Sequence, residues 1–465
     1  MSGFWLTKST SGLDCRYSSG ADYPVRRDQQ CAVSPWELGL LFIPLAPAAL
    51  SAVWPTFVWN NWFLYISVAL LGLAPTYFIL SALSVAARHD KYEASLMRRL
   101  LGVYLIAGCL CAFCFLLVPI PMFGWDALDQ WGRQASNFIS AVESGEMYQF
   151  EYIHPDTGYF VSIFESRAST ELGFDVSGAC LASAYYTILA SGSRLCMLRF
   201  NLTPLLSLSV ACAIWSTPGV VNGIVIYGYV DFWLAYCIFL FFYFFHLTST
   251  RMPALCLIGM LLAICLPAAL KDSGFLISVS GFASFLTLFA ARLISKNWAL
   301  PAVAALLSVF LPVLILLEVV IDLRGLNVPF RVDFERGLIN VGSRGEKILW
   351  SDASQVISSL AHAFFVNQTY SVTFFAGFFA FLWGLCFGKR DYFSEVLTLF
   401  FILLSLYLIA PLFMSSYFMS HSLPTNDTAL SRFSIYYMPV IYFLIIRLLA
   451  ALSGPRVISA AGEHS

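Results

Sequence analysis

The chain has 465 residues, of which 59% are hydrophobic, 16% aromatic and 11% charged, whereas about a quarter of the residues of a soluble domain are charged. A formal net charge of -1 supplies no overall field for nucleic acid, and no extended basic patch with interleaved aromatics occurs. This composition excludes an ordinary soluble domain and points to an all-α polytopic membrane protein, because a helix satisfies its own backbone groups inside a bilayer.

Residues 1–36 are polar and carry Arg16, Arg26 and Arg27. They lack the apolar core and small-residue cleavage site of a signal peptide and read as a cytoplasmic tail. Apolar runs of about 17 to 25 residues, the length that crosses a bilayer, follow near 37–54, 62–86, 100–121, 178–194, 202–217, 231–248, 253–270, 274–294, 299–320, 370–387, 394–414 and 433–451. About twelve transmembrane helices are therefore expected over 37–451. With the N-terminus inside, the basic connections all fall on the cytoplasmic side: Arg88 to Arg99, Arg194 to Arg199, Arg251, Arg292 to Lys296, Lys389-Arg390, and Arg456 in the tail 452–465. Most of the twelve cysteines lie inside apolar runs, where a thiol behaves as a small hydrophobe. The Cys111-x-x-Cys114 pair has no second pair or nearby His to complete a metal site.

Two outside connections are long, 122–177 and 321–369. The first is acidic and opens with Gly124-Trp125-Asp126-Ala127-Leu128-Asp129-Gln130-Trp131-Gly132-Arg133. As a helix this stretch puts Leu128, Trp131, Ala135, Phe138 and Val142 on one stripe and Asp126, Asp129, Arg133, Ser136 and Ser140 on another. That pattern suits a helix lying flat on a membrane surface with its carboxylates toward water. The second long connection mixes Arg331, Asp333, Glu335, Arg336, Arg344, Glu346 and Lys347 with Trp350, the mix of a folded cap rather than a disordered tail. No internal repeat is visible, which argues against an inverted-repeat transporter.

Ionisable residues at membrane depth are costly and mark functional sites. In this topology they gather on the outer face: Asp126 and Asp129 after the third run, Asp231 opening the sixth, Lys271-Asp272 between the seventh and eighth, and Arg432 opening the twelfth. A carboxylate at the water boundary can take a proton from a hydroxyl, and cations beside it can hold a phosphate as its charge develops. Such a set suits transfer of a group from a lipid phosphate to an acceptor alcohol.

At these residues the chain resembles the GT-C superfamily of membrane glycosyltransferases, especially the bacterial relatives of protein O-mannosyltransferases and of the aminoarabinose transferases of lipid A. The resemblance runs from about residue 100 to 450. It rests on Trp125-Asp126-Ala127 with Trp131, on Gly228-Tyr229-Val230-Asp231, on Lys271-Asp272-Ser273-Gly274, on Arg432 seven residues before Pro439, and on His154-Pro155-Asp156. The chain departs from the pattern at Gln134, where a basic residue is usual and Arg133 is adjacent, and at Thr157-Gly158, where Tyr-Pro is usual.

The resemblance implies a polyprenyl-phosphate-linked sugar as donor, a glycan, lipid or protein as acceptor, and transfer with inversion on the extracytoplasmic face, in a bacterium the periplasmic side of the inner membrane. It makes Asp126 the general base, with Asp129 orienting it or touching the acceptor beside Trp125, Trp131 and Arg133. Lys271 and Arg432 would hold the lipid phosphate, while Asp156, Tyr229, Asp231, Asp272 and His154 would face the sugar. Some members hold a divalent metal ion between two outer aspartates; no ligand spacing in this chain compels one.

Two other classes fit parts of the pattern. A flippase or transporter of lipid-linked sugars would carry charges near the bilayer midplane on broken helices. An O-antigen polymerase or ligase would use cations of its main outer loop, for which Arg331, Arg336 and Arg344 are the candidates. Asn201-Leu202-Thr203, Asn367-Gln368-Thr369 and Asn426-Asp427-Thr428 match the glycosylation sequon. The aromatic runs Phe239 to Phe245 and Phe374 to Trp383 read as lipid-facing packing.

Overall fold

The computed structural model describes residues 34–46, 61–117, 144, 176–225, 231–247, 254–270, isolated positions between 274 and 285, four short strands within 320–348, positions 361, 365 and 366, and residues 371–387 and 434–453. The expected spans near 299–320 and 394–414 lie outside the described residues, except that Val320 opens a strand. The described part is helical apart from that small sheet. Two helical stretches, Leu70–His89 and Ile435–Ser453, are long and apolar enough to cross a membrane.

Helix α1 (Pro35–Phe42) starts where Ser34 accepts the Glu37 amide at 3.1 Å and Pro35 supplies a first turn that needs no donor. Helix α2 (Asn61–His89) buries Leu71, Ala74, Phe78, Ala82 and Val85, a stripe at helical spacing, and exposes Leu70, Leu73, Tyr77 and Leu80 opposite. Asp90 then accepts the Tyr92 and Glu93 amides at 2.7 and 3.2 Å and starts helix α3 (Lys91–Leu117). The inside connection expected from Arg88 to Arg99 is thus almost wholly helical, because one capping carboxylate lets both helices run to the turn.

Helix α4 (Val176–Phe200) carries through the expected loop at Arg194 to Arg199 and ends on Asn201, whose φ of 53° is the left-handed conformation that asparagine tolerates at a helix end. Thr203 then accepts the Leu206 amide at 3.3 Å to start α5 (Pro204–Trp215). The first sequon therefore has a structural use for both of its polar residues. Helices α6 (Pro218–Val225), α7 (Asp231–Leu247), α8 (Ala254–Leu270), α9 (Ser371–Phe387) and α10 (Met438–Ser453) follow. A one-turn helix, Ser434–Tyr437, leads into α10.

Helix α7 is the centre, packing on α4, α8 and α10 and buried on every side from Asp231 to Phe244. A helix that is apolar all round has no water-facing side. Trp215 of α5 sets its indole edge-on to Phe232 and Phe239 of α7, at 6.4 and 5.9 Å between ring centres, and Phe443 of α10 lies 6.0 Å from Phe239. Phe239 to Phe244 are core rather than lipid-facing, which corrects the reading of that aromatic run. On α9 the run Phe374 to Trp383 is two-sided: Phe375, Phe378, Phe379 and Leu382 are exposed, while Phe374 and Ala380 are buried.

Pro75 interrupts the backbone bonding of α2, since it has no N–H to give to the carbonyl four residues earlier, that of Leu71. The Ser183 hydroxyl of α4 donates to that carbonyl instead. Tyr104, Tyr185 and Ser216 share a ring of hydroxyl hydrogen bonds joining α3, α4 and the end of α5.

The strands Val320–Asp322 (β1), Phe330–Asp333 (β2), Leu338–Val341 (β3) and Glu346–Ile348 (β4) form an antiparallel meander in chain order. Its register aligns Ile321, Val332 and Ile339 in one row and Asp322, Arg331, Asn340 and Glu346 in the next. The second long connection thus contains ordered secondary structure, as a folded cap requires.

Candidate functional site

The two ends of α7 differ in charge. At the first residue of the helix, Asp231 is 2% exposed and its Oδ1 accepts the hydroxyl proton of Tyr436, itself fully buried in the turn Ser434–Tyr437. At the other end, about 22 Å along at 1.5 Å per residue, Arg447 of α10 lies 3.4 Å from His246 Nδ1, and Arg199 donates to the Leu247 carbonyl. Cations there complement the negative end of the helix dipole, as a carboxylate complements its positive start.

A second charged group locks α1 to the bundle near this cationic end. Arg194 pairs with Glu37 and donates to the Tyr243 hydroxyl at 2.9 Å, and Tyr243 in turn donates to Glu37 at 3.3 Å. Tyr236 donates to the Leu41 carbonyl at 2.5 Å. The Glu37 carboxylate, the Tyr243 hydroxyl and one terminal nitrogen of Arg194 are tied to one another, so the clasp works as a structural joint.

The Asp231 end gathers the flanks of three of the sequence motifs. Asp231 closes Gly228-Tyr229-Val230-Asp231. Tyr436, its donor, stands four residues after Arg432 and three before Pro439. Gly274 closes Lys271-Asp272-Ser273-Gly274 and lies against Leu234, one turn along α7 from Asp231: a Cβ at position 274 would stand 3.1 Å from Leu234 Cδ2 and 1.9 Å from the Pro267 carbonyl oxygen. Only a residue with no side chain allows that approach, so the last position of the motif has a packing reason of its own. Ser278 fastens the same segment to α8 by accepting the Ala268 amide at 3.0 Å.

Of the residues that the transferase reading singles out, Asp231 alone lies among the described residues. Trp125, Asp126, Asp129, Trp131, Arg133, His154, Asp156, Tyr229, Lys271, Asp272 and Arg432 lie outside them. Arg331, a candidate cation of the second long connection, donates to Asp333 at 3.2 Å on the same strand, so its charge is already matched. Arg336 and Arg344 lie outside the described residues. No group of three or more His, Cys, Asp or Glu side chains suited to a metal ion occurs among the described residues.

Sequence reasoning missed Tyr436 and Glu37. Tyr436 sits among Ile435, Tyr437 and Met438 with no local pattern to mark it, although its place four residues after a motif arginine was visible. Glu37, an acid at the start of an apolar run, carried the signal of an ionisable residue at membrane depth.

Comparison of the chain with family models, curated proteins and solved structures finds no match.

Proposed function

We propose that this chain is a multi-pass membrane glycosyltransferase that moves a sugar from a polyprenyl phosphate to an acceptor hydroxyl on the extracytoplasmic face. The observation that carries the reading is the joining of Asp231 to Tyr436 beside the Gly274 contact. It unites the flanks of three motifs, nominated from separate parts of the sequence, at one end of one helix. Exposed apolar stripes on α2 and α9 support the membrane setting, because a water-soluble bundle turns such stripes inward. The cations at the opposite end of α7 suit a cytoplasmic side.

In this mechanism Asp126 takes the proton of the acceptor hydroxyl. The acceptor oxygen attacks the anomeric carbon opposite the phosphate, and the bond from that carbon to the phosphate oxygen breaks. The electron pair leaves on the polyprenyl phosphate, whose charge Lys271 and Arg432 offset, arginine by a two-point grip. One displacement inverts the anomeric centre. Asp129 with Trp125, Trp131 and Arg133 serves the acceptor side; Asp231, Asp156, Tyr229, Asp272 and His154 serve the sugar.

The test is transfer of radiolabel from a panel of polyprenyl-phosphate sugars by the purified chain and its Asp126→Asn variant. The expected result is a variant that inserts and extracts like the parent and transfers nothing measurable. Transfer by Asp126→Asn at the parent rate overturns the assignment of the base.

A further inference from the structure

We infer that the outer face of α3 holds the phosphate headgroup of an anionic phospholipid, with Ser95 at the centre of the site and Lys91, Arg98 and Arg99 around it; this rests on the membrane setting and is independent of sugar transfer. On a helix the surface neighbours of a residue are those three and four places away, with Cβ atoms about 5–6 Å off. For Ser95 these are Lys91, Tyr92, Arg98 and Arg99, three cations and a phenol about one hydroxyl, and all five residues are exposed. None of the cations has a carboxylate three or four places away to form a helical ion pair. Of the ion pairs between described residues, Glu37 with Arg194 and Arg331 with Asp333, neither includes them. The nearby acids serve the backbone: Asp90 accepts the Tyr92 and Glu93 amides, and Glu93 accepts the Leu205 amide at 3.3 Å. Unlike Arg88 in the last turn of α2, Lys91 stands at the positive end of its helix, where the dipole favours an anion over a cation. Orienting a chain in a bilayer needs lysine and arginine in number, not in register. Their gathering about one exposed hydroxyl is what points to a phosphate.

The same face continues as a track for acyl chains. Ala94, Met97 and Leu101 pack in one buried cluster with Ala82, Val85 and Ala86 of α2. The opposite stripe of α3 therefore runs through Tyr92, Ser95 and Arg99 to Val103, Ile106 and Leu110, and these last three are exposed and apolar. From Arg99 to Leu110 the stripe rises about 16 Å, the depth of one leaflet in an apolar core about 30 Å thick. Helical side chains lean toward the N-terminus, so Arg98 and Arg99 reach back toward Ser95 and leave the track clear. A soluble phosphate uses the cations alone, whereas a phospholipid uses both the cations and the apolar stripe below them. The occupant that matches the whole face is an anionic lipid such as phosphatidylglycerol.

Equilibrium binding of radiolabelled phosphatidylglycerol and phosphatidylcholine to the full-length purified chain in detergent tests the site. The wild type is expected to bind phosphatidylglycerol about ten-fold or more tightly than phosphatidylcholine, with the preference falling as salt rises. Ser95→Glu sets a carboxylate among the three cations without changing the lysine and arginine count that orients the chain. It is expected to reduce the preference to about two-fold or less. Ser95→Gln adds the same bulk without charge and is expected to keep the preference within about three-fold of wild type. Glutamate and glutamine are both good helix formers at an exposed helical position, so both variants fold. Inorganic phosphate at the concentration of the lipid is expected to leave phosphatidylglycerol bound, and complete displacement by it overturns the lipid as occupant. Equal affinity of the wild type for the two lipids, an undiminished preference in Ser95→Glu, or as large a loss in Ser95→Gln as in Ser95→Glu overturns the site. None of these results touches the transferase reading, because no residue of this face belongs to it.

Discussion

Ser183 of α4 gives its hydroxyl proton to the carbonyl of Leu71 on α2, the acceptor that Pro75 leaves without an intrahelical donor. The pair explains how a proline sits inside a 29-residue helix without leaving a buried carbonyl orphaned. Ser183→Ala is expected to lower stability by about 1–3 kcal/mol, the cost of a buried unsatisfied polar group. In a Pro75→Ala background, where the amide returns, the same change should cost under about 0.5 kcal/mol. Reversible unfolding in mixed micelles measures both, and equal costs in the two backgrounds would show that Ser183 acts by packing alone.

The Glu37 to Arg194 pair is nearly dry, with side chains 5% and 14% exposed. Replacing one partner strands the other charge, so Glu37→Leu is expected to destabilise by about 3–5 kcal/mol. The double change Glu37→Leu with Arg194→Leu should recover most of that loss. Unfolding midpoints of the wild type and the two variants are the readout.

Gly274 and Gly102 make opposite predictions. Gly274→Ala drives a methyl into the Pro267 carbonyl and is expected to cost more than about 3 kcal/mol or to prevent folding. A Cβ at Gly102, on α3, meets nothing within 4 Å, so Gly102→Ala should stabilise by about 0.5–1 kcal/mol through helix propensity. Thermal inactivation of the solubilised variants separates the two.

Phe379 is 61% exposed on α9. If that face meets hydrocarbon, Phe379→Lys should cost about 2.5–3.5 kcal/mol of insertion free energy, and a glycosylation-reporter insertion assay should show reduced spanning of the 371–387 segment. Against water the same change would be close to neutral.

Long apolar runs were legible because their length alone marks them: the runs near 231–248, 253–270 and 370–387 match helices Asp231–Leu247, Ala254–Leu270 and Ser371–Phe387. Charged stretches were misplaced as loops. Arg88, Arg98 and Arg99 lie in helices, because a basic residue at a helix end favours the dipole rather than breaking the helix. The four strands were invisible, each having only three or four residues and too little length to show alternation. Asp231 stood out because a carboxylate opening an apolar run is conspicuous, whereas Tyr436 is one aromatic among many. What identifies it is a partner 205 residues away, and a linear pattern holds no record of that.

Because α7 is pinned by Asp231 to Tyr436 at one end and by His246 beside Arg447 at the other, it cannot slip by a turn against α10 without pulling a carboxylate or a guanidinium into a wall of phenyl rings. A one-turn slip is about 5.4 Å, enough to part both contacts. The helix is thus the fixed axle of the bundle. Relative motion among the described helices is therefore left to those around α7.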